Sequence, residues 1–170
     1  MTHDVPAHVL EDLADMLWQE RHTVELLLFK MITAKLLLAA DEHRFVSAAI
    51  DEIDEVVTSL RAAESRRGDA LQALADRLEV PVEDLTLAEI ARLAPVPMDA
   101  VMRDHRDAFL RMTAEIEETA AANRQLASGA LGRVRQSLDA LTGTEPVTTY
   151  NAAGRTEPSL ASPLRLDAAL

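Results

Sequence analysis

The stretch MDAVMRDHRDAFLRMTAEIEETAAANRQLASGALGRVRQSLDALTG, residues 98–143, decides the fold. Within it Met98, Met102, His105, Phe109, Met112 and Ile116 recur every three or four residues. The stripe continues through Ala120, Asn123, Ala127, Leu131, Val134, Leu138 and Leu141. That spacing lines one face of an α-helix. No proline interrupts the run, and it ends at Gly143, where a left-handed terminal residue costs glycine least. The pattern predicts one helix over 98–142, about 65 Å long at about 1.5 Å per residue. A helix of that length cannot bury its own stripe, so it needs partners along its seam.

The residues before it supply those partners. A first helix is predicted over about 6–39, with Leu10, Leu13, Leu17, Val24, Leu27, Met31, Ala34 and Leu38 as its seam. Glu20 takes the one seam position that is not apolar, and a buried carboxylate needs a partner. Arg61 lies at the matching level if the next helix folds back. Between Val24 and Leu38 the apolar surface widens to include Leu26, Leu28, Phe29, Ile32, Leu36 and Leu37. A polar turn, Ala40 to Arg44, leads into a second helix over about 43–78. Its seam of Val46, Ala49, Ile53, Val56, Leu60, Ala63, Arg67, Ala70, Leu74 and Leu78 follows heptad spacing. So short a connection makes the first two helices an antiparallel hairpin. Pro81 stops the second helix, and Thr86 followed by Glu89 reads as a capping box for a short helix over 87–93. Pro95 and Pro97 then precede the long helix. The predicted fold is all-α: an antiparallel bundle of three long helices, coiled-coil-like, with a short helical insert. Residues 1–143 form the helical domain, and the Pro-, Gly- and Ser-bearing stretch 144–170 reads as a flexible, disordered C-terminal tail.

Composition agrees with this class. The chain has 170 residues, 48% of them hydrophobic but only 3% aromatic, which suits a single helical domain better than a β-sandwich. It has no cysteine, so thiolate and disulfide chemistry are excluded. The N-terminus shows no basic, apolar leader, and the most apolar run, Leu26 to Ala40, is broken by Lys30 and Lys35. A soluble, cytoplasmic protein without membrane insertion is expected. The formal charge of −12 argues against nucleic acid as a partner, because phosphate is repelled by such a surface.

Nothing in the chain assembles a catalytic site, so no enzyme, cofactor or metal is expected. There is no G-x-S-x-G elbow and no phosphate-cradling glycine loop. A di-iron bundle site wants Glu-x-x-His on two helices. None of His3, His8, His22, His43 and His105 has a glutamate three residues before it. His105 reads as a half-buried packing residue, Trp18 as a core wedge, and Asn123 as a polar seam residue able to fix register. The segment Leu126-Ala-Ser-Gly-Ala-Leu-Gly132 puts two glycines inside a helix, each weakening it by about 1 kcal/mol. Two readings fit: close interhelical packing through small residues, or a yielding apolar surface onto which another helix can be laid.

Several segments carry a family resemblance. They are Leu17-Trp-Gln-Glu-Arg21, Val24-Glu-Leu-Leu-Leu-Phe-Lys30, Leu36-Leu-Leu-Ala-Ala40, Ala120-Ala-Ala-Asn-Arg-Gln-Leu126, Val134-Arg-Gln-Ser-Leu-Asp-Ala-Leu-Thr-Gly143 and Thr149-Tyr-Asn-Ala-Ala-Gly-Arg155. In this order the chain resembles the FlgN-type flagellar export chaperones over nearly its whole length. The resemblance implies an all-helical cytoplasmic protein that binds the hook-associated junction proteins FlgK and FlgL. Such a chaperone holds a C-terminal helical segment of its client, keeps the client unpolymerised and delivers it to the cytoplasmic domain of the flagellar export gate. Carried onto this sequence, the client-binding residues are Leu126, Leu131, Val134, Leu138 and Leu141, together with the tail. Tyr150 corresponds to the gate-contacting tyrosine, although this chain reads Tyr-Asn-Ala-Ala-Gly where the family has a Tyr-Gly-like element. A tail folded over that surface would act as a competitive lid. The rival reading is a non-enzymatic structural or regulatory coiled-coil protein that self-associates, as a homodimer for example, through the same seams.

Overall fold

A computed structural model describes residues 5–142, 148–150 and 156–158. Among the described residues there are four α-helices: α1 (Ala7–Ala39), α2 (Val46–Leu78), α3 (Leu87–Leu93) and α4 (Met98–Thr142). Short 3-10 turns, His43–Phe45 and Val82–Asp84, precede α2 and α3. The helix boundaries follow the apolar periodicity and the breakers read from the sequence. Two three-residue strands, β1 (Thr148–Tyr150) and β2 (Thr156–Pro158), pair antiparallel with Tyr150 opposite Thr156. Helical periodicity gives no warning of them. The rest of the expected tail, including Leu160, Leu164, Leu166 and Leu170, lies outside the described residues. The chain divides into two compact units, Met1–Ala127 and Ser128–Leu170.

Helix ends are closed by local chemistry. After α1, Asp41 takes a left-handed φ of 60°, and the Asp41 and Glu42 amides donate to the Leu38 and Leu37 carbonyls. Aspartate tolerates that conformation better than most residues. After α2, Glu79 does the same at φ 56°, with Val80 donating to Ala75, before Pro81 forbids any continuation. The hydroxyl of Thr86 accepts from the Glu89 amide at 3.2 Å and caps α3, as its spacing predicts.

Within residues 1–127 the seams meet in layers. Leu10, Leu13, Leu17, Leu74, Ala75, Leu78, Ile90, Ala91 and Met102 share one buried cluster, so α3 packs into the same core as the long helices. Next, Val24 meets Ala108 and Met112; then Leu27, Met31 and Val56 meet Ile116 and Ala120. Partners on α2 fall in number as those on α1 rise, which makes the two antiparallel. The α1–α4 pairs rise together, from Arg21–Asp104 to Met31–Asn123.

Among the described residues Glu20, His105 and Thr119 are polar side chains buried in this apolar interior, and Asn123 is half-buried beside them. Glu20 is buried, and its carboxylate accepts from Arg67 Nε at 2.7 Å; the expected partner Arg61 is exposed instead. The correction follows from the helical face. Arg67 continues the inward stripe of Leu60 and Ala63, whereas Arg61 points off it. Asn123 Nδ2 donates to the Met31 carbonyl at 3.0 Å, a bond that ties α4 to one level of α1. His105 is fully buried with neither ring nitrogen hydrogen-bonded, a burial that costs about 1–3 kcal/mol. Trp18, expected inside, is instead half-exposed. Leu17 takes the core position beside it. The indole lies edge-on to His105, ring centroids 4.9 Å apart, with the Arg21 guanidinium over its face at 4.8 Å.

Two stability predictions follow from these groups. Arg67→Met leaves Glu20 buried without its cation and is expected to cost about 2–3 kcal/mol in urea unfolding, while Glu20→Leu/Arg67→Met recovers most of it. A single variant as stable as the parent contradicts the pairing. Burial, and then the nearby Arg21 charge, push the His105 pKa below its ordinary value, against a smaller opposing pull from Asp104. The unfolded chain therefore takes up that proton first as pH falls through about 6.5, so the folded state loses stability below that pH. Unfolding midpoints of the parent should drop more between pH 7.5 and 5.5 than those of His105→Leu; parallel profiles contradict the account.

Candidate functional site

An α-helix satisfies its backbone hydrogen bonds within itself, so it can persist beyond the residues that bury it. The last part of α4 does so. Every residue from 131 to 140 is exposed. Among them Leu131 is 59%, Val134 52% and Leu138 54% exposed. Their spacing of three and four residues puts them on one face, the arrangement an amphipathic helix uses to receive another. Leu126 belongs to the unit 1–127 and is half-buried. Leu141 lies in α4, but its side chain is outside the described residues, as is that of Tyr150 in β1. The structure thus brings Leu131, Val134 and Leu138 together on one exposed stripe, and it places Leu126 in more buried surroundings.

Among the described residues, no second helix packs closely on the two glycines near this stripe. A methyl group built on Gly132 would meet nothing within 4 Å, and one on Gly129 would meet only the Arg133 side chain of its own helix, at 3.7 Å. Close approach to a second helix is therefore not what places glycine there. What remains is the loss of helix propensity, which leaves this part of α4 easier to deform.

A second apolar surface lies on α1. Phe29, Ile32 and Leu36 are exposed at spacings of three and four, on the side away from the buried Leu27, Met31 and Ala34. This is the widening read from the sequence, now placed on a face that the described residues leave exposed. The strands β1 and β2 are the feature that the reading of the chain misses. Their signal is local: Val147-Thr-Thr-Tyr150 is rich in β-formers, and Asn151 and Gly154 follow it.

Among the described residues no group of three histidine, cysteine or acidic side chains could hold a metal, and no helix is long and apolar enough to cross a membrane. Among the described residues the exposed apolar faces of α1 and α4 are the candidate binding surfaces.

No curated protein and no solved structure matches the chain. A family model described as FlgN protein matches residues 1–158, more than nine-tenths of the sequence. With that match over an all-helical fold, the chain belongs to the FlgN family.

Proposed function

We propose that this chain is a cytoplasmic flagellar type III export chaperone that holds the C-terminal helical segment of the hook–filament junction proteins FlgK and FlgL. In this reading it keeps them unpolymerised and hands them to the export gate. One observation carries the reading: the exposed stripe of Leu131, Val134 and Leu138 on a helix that continues past its buried part. A client helix laid along that stripe removes both apolar surfaces from water, worth about 25 cal/mol per Å² buried. The glycines at 129 and 132 let the receiving helix adjust to it. Leu126 and Leu141 are assigned to the client as well, and Tyr150 to the gate.

The reading takes the three long helices as one antiparallel bundle, supported by clusters that draw on α1, α2 and α4 at successive levels. In this reading the residues after the receiving helix act as a lid over it. Family membership supports the chaperone class over a self-associating coiled coil.

The test is calorimetry of the full chain with each purified junction protein. A 1:1 complex is expected, weakened about tenfold or more in Leu131→Asp/Val134→Asp, whose sites are exposed and so leave the fold intact. Deleting residues 144–170 should change client affinity if the tail acts as a lid. A stable homo-oligomer that binds neither junction protein would contradict the chaperone reading and favour the coiled-coil rival.

A further inference from the structure

We infer that a second docking site for the same partner lies between α2 and α4, in the line of α3, and that it takes an amphipathic helix with basic residues beside its apolar stripe. The inference rests on the chaperone reading and adds a surface to it. It is distinct from the α4 stripe, since all of its residues lie within the unit 1–127.

The geometry begins with α3. This helix has only seven residues, and its Ile90 and Ala91 are buried in a cluster that also holds Leu74 and Leu78 of α2 and Met102 of α4. It serves as a short fourth helix for one end of the fold. Leu87 lines two cavities of about 360 and about 430 Å³, which also share Phe109 and Thr113. In this proposal the two, which adjoin along those shared side chains, act as one recess. Its walls are Leu60 of α2 and Phe109 and Ile116 of α4, and Leu110, 58% exposed, stands at its edge. Side chains of an incoming helix at i, i+3 and i+7 fit such a recess, and the helix would take up the line that α3 leaves. A fourth helix there completes the cover over an otherwise open apolar seam.

Charge selects the flanks of that helix. Besides the buried Glu20 of α1, four charged residues line the recess: Glu64 and Arg67 from α2, Arg106 and Glu117 from α4. Both cations are already engaged within the chain, Arg67 with Glu20 at 2.7 Å and Arg106 with Asp107 at 3.0 Å. Glu64 and Glu117 have no ion pair among the described residues. One uncompensated carboxylate therefore stands on each lip, in a chain of net charge −12. Lysine or arginine beside the apolar stripe of the occupant would pair with both, and the acidic surface would speed its approach.

The experiment uses the full-length chain and the purified junction proteins at low and moderate salt. Two groove variants are compared with Leu131→Asp/Val134→Asp. Leu110→Asp/Ala114→Trp blocks the recess, and Glu64→Lys/Glu117→Lys reverses its lips; all four positions are exposed, so unchanged thermal midpoints are expected. Each groove variant should weaken binding about tenfold or more, and the lysine variant should also lose most of the salt dependence. Client affinity unchanged in both groove variants, but lost in the α4 variant, overturns this inference and leaves the proposed function standing. Absence of binding by the parent chain overturns both. A concentration-dependent dimer of the parent, abolished by the groove variants, assigns the recess to a second copy and overturns the inference as well.

Discussion

The structure depends on a mismatch between where the α4 helix ends and where its burial ends. Backbone hydrogen bonds carry the helix to Thr142, but among the described residues its buried side chains end with Thr119, and Asn123 fixes its level on α1. Up to that point α4 is part of a core. Past it, every side chain from 131 to 140 faces solvent, and leucine and valine remain on the stripe. A helix exposed in this way draws little support from burial, and its glycines lower its propensity. It is therefore well suited to being completed by another helix.

The polar groups inside the fold keep that arrangement in register. Leucine and alanine seams slide easily, because a shift of one turn replaces one apolar contact with another. The Glu20–Arg67 pair and the Asn123–Met31 bond do not tolerate such a shift, since each leaves a buried polar group unpaired. His105 works differently. Its ring nitrogens have no hydrogen-bond partner among the described residues, but it cannot take a proton where it sits without a penalty, which makes the α1–α4 contact sensitive to acid. Acidic residues elsewhere keep the exposed apolar faces of α1 and α4 in solution.

Much of this is legible in the sequence. Apolar recurrence every three or four residues, together with Pro81, Pro95 and the Thr86–Glu89 cap, marks all four helices, because these signals act within a few residues of one another. The exposed stripe of Leu131, Val134 and Leu138 is legible as a stripe, but not as exposed, since periodicity names a face without naming its neighbour. The same limit explains the other differences. Whether Arg61 or Arg67 meets Glu20 turns on less than one helical turn of offset between α1 and α2. Trp18 sits beside the seam residue Leu17, and only the packed structure shows that His105 and Arg21 hold its ring at the rim. The recess beside Leu87 is a property of how far α3 extends across the seam, which no local pattern encodes.

Native-state amide exchange along α4 tests the central claim most directly, on the free chain and again with a junction protein added. The account predicts strong protection from 102 to 123, little from 128 to 142 in the free chain, and a gain of protection over 128–142 on complex formation. Uniform strong protection to residue 142 in the free chain, unchanged by the junction protein, would contradict it.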